Sequence, residues 1–214
     1  MNKKLRVSMS IVVLFIFLCS LSGCASHLVV SSRYSPNILL NGSGSIFIGE
    51  FTYSPNGYTY NTQSGRFEKL INPVKIVTGQ ADRTDYISEY QIDTKGGFND
   101  IIMDSKISKY IKDAVSKELK FIGYKLDPNS KLTLTGTVKE LSADYIGFTT
   151  SDQVCEIRFV ITNNLTKEVV YDKVHQAKYS VPKIQAIDYT PMITTAVSMC
   201  IEKFVLDAQS NGII

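Results

Sequence analysis

Residue types that carry chemistry are few in this chain and widely spaced. It has two histidines, His27 and His175, and four cysteines, Cys19, Cys24, Cys155 and Cys200. A zinc-protease helix needs two histidines four residues apart, and these two cannot supply it. There is no C-x-x-C pair, no G-x-S-x-G elbow, no P-loop and no dinucleotide glycine fingerprint. Asp172, His175 and Ser180 are the residue types of a hydrolase triad and lie close in sequence. On an extended strand, however, an odd separation sends Asp172 and His175 to opposite faces. The acidic residues from Asp82 to Asp93 lack calcium-loop spacing. The expectation is therefore no catalytic residue, no metal site, no cofactor and no enzyme activity.

The cysteines divide into two kinds. Cys155 falls on an expected strand with Ile157, Phe159 and Ile161 on the same face. Cys200 falls on an expected helix with Ile193, Val197, Ile201 and Phe204. Both point to the core. In an oxidising compartment they can form a strand-to-helix disulfide; the alternative is two buried thiols that pack as small apolar residues.

Cys24 is different, because it closes an export signal. Lys3, Lys4 and Arg6 precede an apolar run from Ile11 to Leu18, which is the charged and hydrophobic order of a secretory leader. The run is shorter than the roughly 20 apolar residues that span a bilayer. It ends in Leu21-Ser22-Gly23-Cys24, which resembles the lipobox of bacterial lipoproteins. The resemblance implies cleavage between Gly23 and Cys24, with the Cys24 thiol accepting diacylglycerol. Two or three acyl chains hold a protein stably where one does not. Ala25, rather than aspartate, follows the cysteine. In a double-membrane bacterium this implies the outer membrane with the domain facing the periplasm; in a single-membrane one, the outer face of that membrane.

Charge supports the anchor as the means of attachment. The net charge of +3 belongs to the leader: removing Lys3, Lys4 and Arg6 from the 23 basic residues leaves 20, against 20 acidic ones. A balanced domain argues against nucleic acid as a partner.

The remaining sequence describes the scaffold. Residues 24–44 read as a lipidated N-terminus and tether, rich in Ser, Asn, Gly and Pro, although Leu28–Val30 and Ile38–Leu40 give part of it reason to lie along the domain. A single domain is expected over 45–214. Ile46–Tyr53 reads as a strand, followed by the turn signal Asn56-Gly57 and by Tyr58 and Tyr60 alternating with polar residues. Val74–Thr78 is a second expected strand, and Gly79–Gly97 an expected surface loop. An amphipathic helix is expected from Asp100 or Asp104 to Ile122, with Ile107, Ile111, Ala114, Val115, Leu119 and Ile122 on one face and Gly123 as its left-handed stop. Its lysines 106, 109, 112, 117 and 120 read as a solvated surface, or as a stripe meeting anionic headgroups.

Lys131–Lys139 alternates apolar and polar residues, with Thr133, Thr135, Thr137 and Lys139 on a wet face and a bulge near Glu140 and Leu141. Val154–Thr162 and Glu168–Tyr179 form a hairpin through Asn163-Asn164-Leu165-Thr166. A final helix runs from Pro191 to Ala208, capped by Thr190. Single apolar faces on both kinds of element predict an α+β two-layer sandwich: a mainly antiparallel sheet with two amphipathic helices on one face.

From the first helix onward the chain resembles the YajG-like family of uncharacterised bacterial lipoproteins. The matching residues are Phe121-Ile122-Gly123-Tyr124, Asp127-Pro128-Asn129, Leu132-Thr133-Leu134 and Leu141-Ser142-Ala143-Asp144-Tyr145, behind the lipobox at Cys24. That resemblance implies an envelope location and a fold, and no reaction. Two functions follow as expectations. One is a non-enzymatic docking or accessory protein for envelope assembly or lipid transport, meeting a protein partner through the threonine face or the loop Val181–Tyr189, with Ile184 and Ile187. The other is a binder of a small lipid, glycan or peptide, using Tyr58, Tyr60, Tyr86 and Tyr90.

Overall fold

The computed structural model describes residues 28–69, 86–95, 101–144, 149–182 and 189–214. The export signal, Gly23 and Cys24, the expected strand Val74–Thr78, and Ile184 and Ile187 lie outside the described residues. Eleven strands and two helices follow one another among the described residues. They are β1 Leu28–Val30, β2 Ser45–Tyr53, β3 Tyr58–Asn61, β4 Arg66–Lys69, β5 Tyr86–Ile87, β6 Gln91–Lys95 and β7 Ile101–Met103, then helix α1 Ile107–Phe121. After it come β8 Lys125–Leu126, β9 Leu132–Asp144, β10 Thr150–Asn163, β11 Val169–Pro182 and helix α2 Tyr189–Ser210.

The three long strands dominate. β9 and β10 pair antiparallel, as do β10 and β11. Alternation places Leu134, Val138, Cys155, Ile157, Phe159 and Ile161 on one buried face. The β9–β10 register shifts at Glu156/Ile157, where Glu140 and Val138 are their successive partners. Lys139 is thus the extra residue of the expected bulge, which restores the apolar phase for Leu141 and Ala143. Asn163 closes the hairpin: its side chain accepts from the backbone N–H of Leu165 at 2.9 Å, and Lys167 adopts φ 62°.

The short strands make the sheet mixed rather than uniformly antiparallel. β2 and β6 both pair parallel to β9, one along each half of it, and β1 pairs parallel to β7. A separate antiparallel set, β3–β4–β5, stands beside the main sheet. The segment Gly79–Gly97, expected as a loop, thus contributes β5 and β6, with Ile87 and Ile92 buried.

Both helices pack on the same face of the sheet. In α1 the expected stripe is buried, and Tyr110 joins it, touching Thr194 of α2 through its hydroxyl at 3.3 Å. The helix starts at Ile107 rather than Asp100 or Asp104, because Ile101–Met103 is taken by β7 and Lys106 has the extended ψ of 136°. Gly123 ends it at φ 110°, and a Cβ there would stand 2.8 Å from the Gly42 carbonyl oxygen. Helix α2 begins at Tyr189, so Thr190 and Pro191 lie inside its first turn and Thr190 is not the cap. Phe204 stacks on Phe159 at 4.2 Å between ring centres, joining α2 to β10 in the middle of the core.

The segment expected as a tether is packed from Leu28 on. Val30, Tyr34 and Ile38 are buried, and the Val30 carbonyl accepts from the Asp104 N–H at 3.1 Å. Among the described residues no helix is long and apolar enough to cross a membrane.

Candidate functional site

The residues weighed for catalysis are separated by the pleat. Asp172 and Ser180 lie on the open face of β11. There the Asp172 carboxylate accepts from Arg158 Nε at 2.7 Å and Nη2 at 2.5 Å, which holds its pKa below the usual carboxylate range. His175 lies on the helix side of the same strand. Its Nε2 is 2.5 Å from the Tyr171 hydroxyl, which donates to Asp207 Oδ2 of α2 at 2.7 Å. Lys173 Nζ completes the group, 2.8 Å from the same carboxylate oxygen. Since the Tyr171 proton goes to Asp207, Nε2 carries the proton shared with Tyr171. Burial lowers the His175 pKa, the stronger influence although Asp207 acts against it. The result is a neutral imidazole in a chain of donors running into one carboxylate. It ties the end of α2 to the start of β11 and positions no nucleophile.

Cys155 and Cys200 face each other across the β10–α2 contact as free, fully buried thiols. Contact with Cys200, reinforced by burial, pushes the Cys155 thiol well up. The Cys200 thiol in turn donates to the His175 carbonyl at 3.2 Å. Among the described residues no group of three His, Cys, Asp or Glu side chains could hold a metal.

Of the tyrosines expected to line a ligand site, Tyr60 packs on an aromatic base and Tyr90 is exposed. Phe67 of β4 is buried, with Tyr53 edge-on at 5.3 Å and Tyr60 tilted over it at 5.0 Å. The Tyr58 hydroxyl reaches Asp93 at 3.4 Å. Beside them a cleft of about 120 Å³, lined by Tyr53, Pro55, Asn56, Asp93 and Lys139 to Leu141, is polar. It is well below the roughly 300–1,000 Å³ of ordinary ligand pockets.

Sequence reasoning missed Glu118. It occupies an apolar position of the α1 stripe and is fully buried. Its carboxyl group accepts from the Tyr34 hydroxyl at 2.5 Å and from the N–H groups of Asn37 and Ile38 at 3.1 and 3.2 Å. Ser198 of α2 reaches the same carboxyl at 3.4 Å and also bonds Asn37. Lys117 Nζ donates to the Tyr34 carbonyl at 2.9 Å. Burial, and then the bond to Glu118, raises the Tyr34 pKa far above its ordinary value. The legible signal was a charge three residues after Val115 and four before Ile122, where the helical period demands an apolar side chain.

What stays open is the sheet face turned away from the helices, together with the outer edge of β11. Thr133, Thr135 and Thr137 lie half-buried on it, and Thr133 donates to Asn164 at 2.8 Å. Val154 and Val160 are half-buried there, and Val174 is 53% exposed. The charges among them are engaged: Arg158 pairs with Asp172 and Lys178 with Asp152, and the Glu156 carboxylate accepts from Asn56 and Gln176. β11 ends the strand order. Among the described residues its 14-residue outer edge meets no further strand; Lys203 Nζ covers the Gln176 carbonyl at 2.8 Å. Apolar side chains ringed by satisfied polar ones beside a free strand edge suit recognition of a protein surface.

No family model and no curated protein matches the sequence. Solved structures do match it in shape. The chain is similar to the protein XCC0632 of Xanthomonas campestris, described under the family model DUF330, at 12% identity and a TM-score of 0.55, over 88% of this chain and 100% of that one. It is more loosely similar to the lipoprotein GNA1162 of Neisseria meningitidis, at 9% identity and a TM-score of 0.31, over 76% of this chain and 99% of that one. The first likeness shows that the two-layer fold described above is shared with a protein of DUF330.

Proposed function

We propose that this protein is a lipid-anchored envelope lipoprotein that acts without catalysis, by docking another envelope protein in an accessory role in envelope assembly or lipid transport. The observation that carries this reading is the open face of β10 and β11 with its free edge. The lipobox at Cys24 supports an acylated N-terminus. Ala25 supports the outer membrane, with the domain in the periplasm. The resemblance to the YajG-like lipoproteins supports the same location. The packing of Tyr60 on Phe67 supports this reading over the alternative of a lipid, glycan or peptide binder.

Photo-crosslinking in intact cells tests it. A crosslinker placed at Val174 or at Val160 should give one common protein adduct, and Lys109 on the exposed side of α1 should give none. Adding Val174→Glu to the Val160 probe should weaken that adduct several-fold while leaving thermal unfolding unchanged. No adduct at either valine, or equal capture at Lys109, would overturn the reading.

A further inference from the structure

Cys24 and the fold are separated by very little chain. Because residues from Leu28 onward are packed, only residues 25–27 intervene. At about 3.3–3.6 Å per residue, the four steps from Cys24 to Leu28 span no more than about 14 Å. A lipid on Cys24 therefore holds one particular end of the domain at the bilayer.

The strand registers identify that end. Leu28 pairs with Ile101, Ile101 with Ile92, and β6 runs on from there to Lys95, the partner of Asp144. Asp144 pairs with Asp152 near the start of β10, and Thr150 with Pro182 at the close of β11. The start of α2 lies there too, since Asp207 near its other end bonds Tyr171 at the opposite end of β11. The hairpin at Asn163–Thr166 and the β8 turn occupy the far end, some 45 Å away along β10 at about 3.3 Å per residue.

Solvent-facing residues at the far end include Lys125, Lys131, Lys167 and Glu168. Among the described residues, the exposed positions at the anchored end include Thr149, Lys178, Pro182 and Pro191, with Leu28, Asp144, Thr150, Asp152 and Tyr189 half-buried beside them. The anchored end, tied within about 14 Å of acyl chains, is the one that can reach a headgroup layer.

We infer that the domain stands on the membrane, with the strand ends Leu28, Asp144, Thr150 and Pro182 facing the headgroups. The long strands rise from the bilayer, so the open face and the β11 edge are presented sideways to a partner anchored in the same membrane. The inference rests on the lipid-anchor reading and adds an orientation to it.

Energy transfer on the full lipidated chain tests it. The protein is reconstituted into phosphatidylethanolamine–phosphatidylglycerol vesicles carrying a headgroup acceptor dye. The donor is attached to Thr149→Cys or to Lys167→Cys, with native Cys155 and Cys200 shielded in the core. Transfer should be several-fold greater from position 149. A ten-residue Gly-Ser insertion between Ser26 and His27 should largely abolish that difference. Equal transfer from both sites, or greater transfer from 167, in protein that floats with the vesicles would overturn the orientation alone. Protein that does not float would overturn the anchor and the orientation together.

Discussion

The Tyr34 hydroxyl donates to Glu118 Oε1 at 2.5 Å across 84 residues of sequence. This bond fastens the segment that follows the lipid anchor to the first helix. A buried acceptor that serves a hydroxyl and two backbone N–H groups is costly to remove, because each donor is then left unpaired. Glu118→Ala is expected to lower the unfolding free energy by about 3 kcal/mol and Tyr34→Phe by about 1–2 kcal/mol. Hydrogen exchange should show the amides of Asn37 and Ile38 losing protection first in both variants. Unchanged protection there would show that the segment is held by its apolar contacts alone.

The thiols give a second expectation. With Cys155 pushed up by its contact with Cys200 and by burial, the folded protein should resist maleimide at pH 7, and raising the pH to 9 should not restore reactivity. Unfolding without reductant then separates the two states of the pair. A bridged pair takes up no label, and a free pair takes up label on each cysteine. Rapid labelling of the native protein would contradict the packing of α2 on β10.

Acid should loosen the far end of α2. Burial depresses the folded pKa of His175, so the unfolded chain, titrating near 6.5, binds the extra proton first. Stability from this group is therefore complete above about pH 6.5 and is lost as the pH falls from there toward the depressed folded value. Asp207, depressed chiefly by Lys173, adds a loss in the same direction at lower pH. The thermal midpoint should fall between pH 7 and 5, and His175→Gln should flatten that slope. A slope that persists in the variant would assign the effect to other groups.

Much of the central fold was legible because it rests on local signals. Alternation marked β9 to β11, the change of phase at Glu140 marked the bulge, and Gly123 marked the end of α1. The short strands were not legible. β1, β5, β6 and β7 are two to five residues long, too short to show a period, and their partners are distant in sequence. The position of Tyr34 was hidden for the same reason: Ser, Pro and Asn around it read as a linker, while the acceptor that holds it lies on a helix 84 residues later.

Packing around Phe51 gives a further test. A Cβ on Gly136 would lie 2.3 Å from the Phe51 ring, which also meets Phe159 at 6.4 Å between ring centres. Gly136→Ala is expected to cost about 1–3 kcal/mol through overpacking. Phe51→Leu in the same chain should recover part of it, which denaturant titration of the single and double variants would read. Additive losses would place the strain elsewhere.

The account depends most on acylation of Cys24, and mass spectrometry of protein extracted from the cell envelope examines it directly. The mature chain should begin at Cys24 with its thiol and amine carrying acyl-bearing groups, and it should partition into detergent. Cys24→Ser should yield an unacylated chain. A wild-type chain that begins at another residue, or carries no lipid at Cys24, would contradict the account.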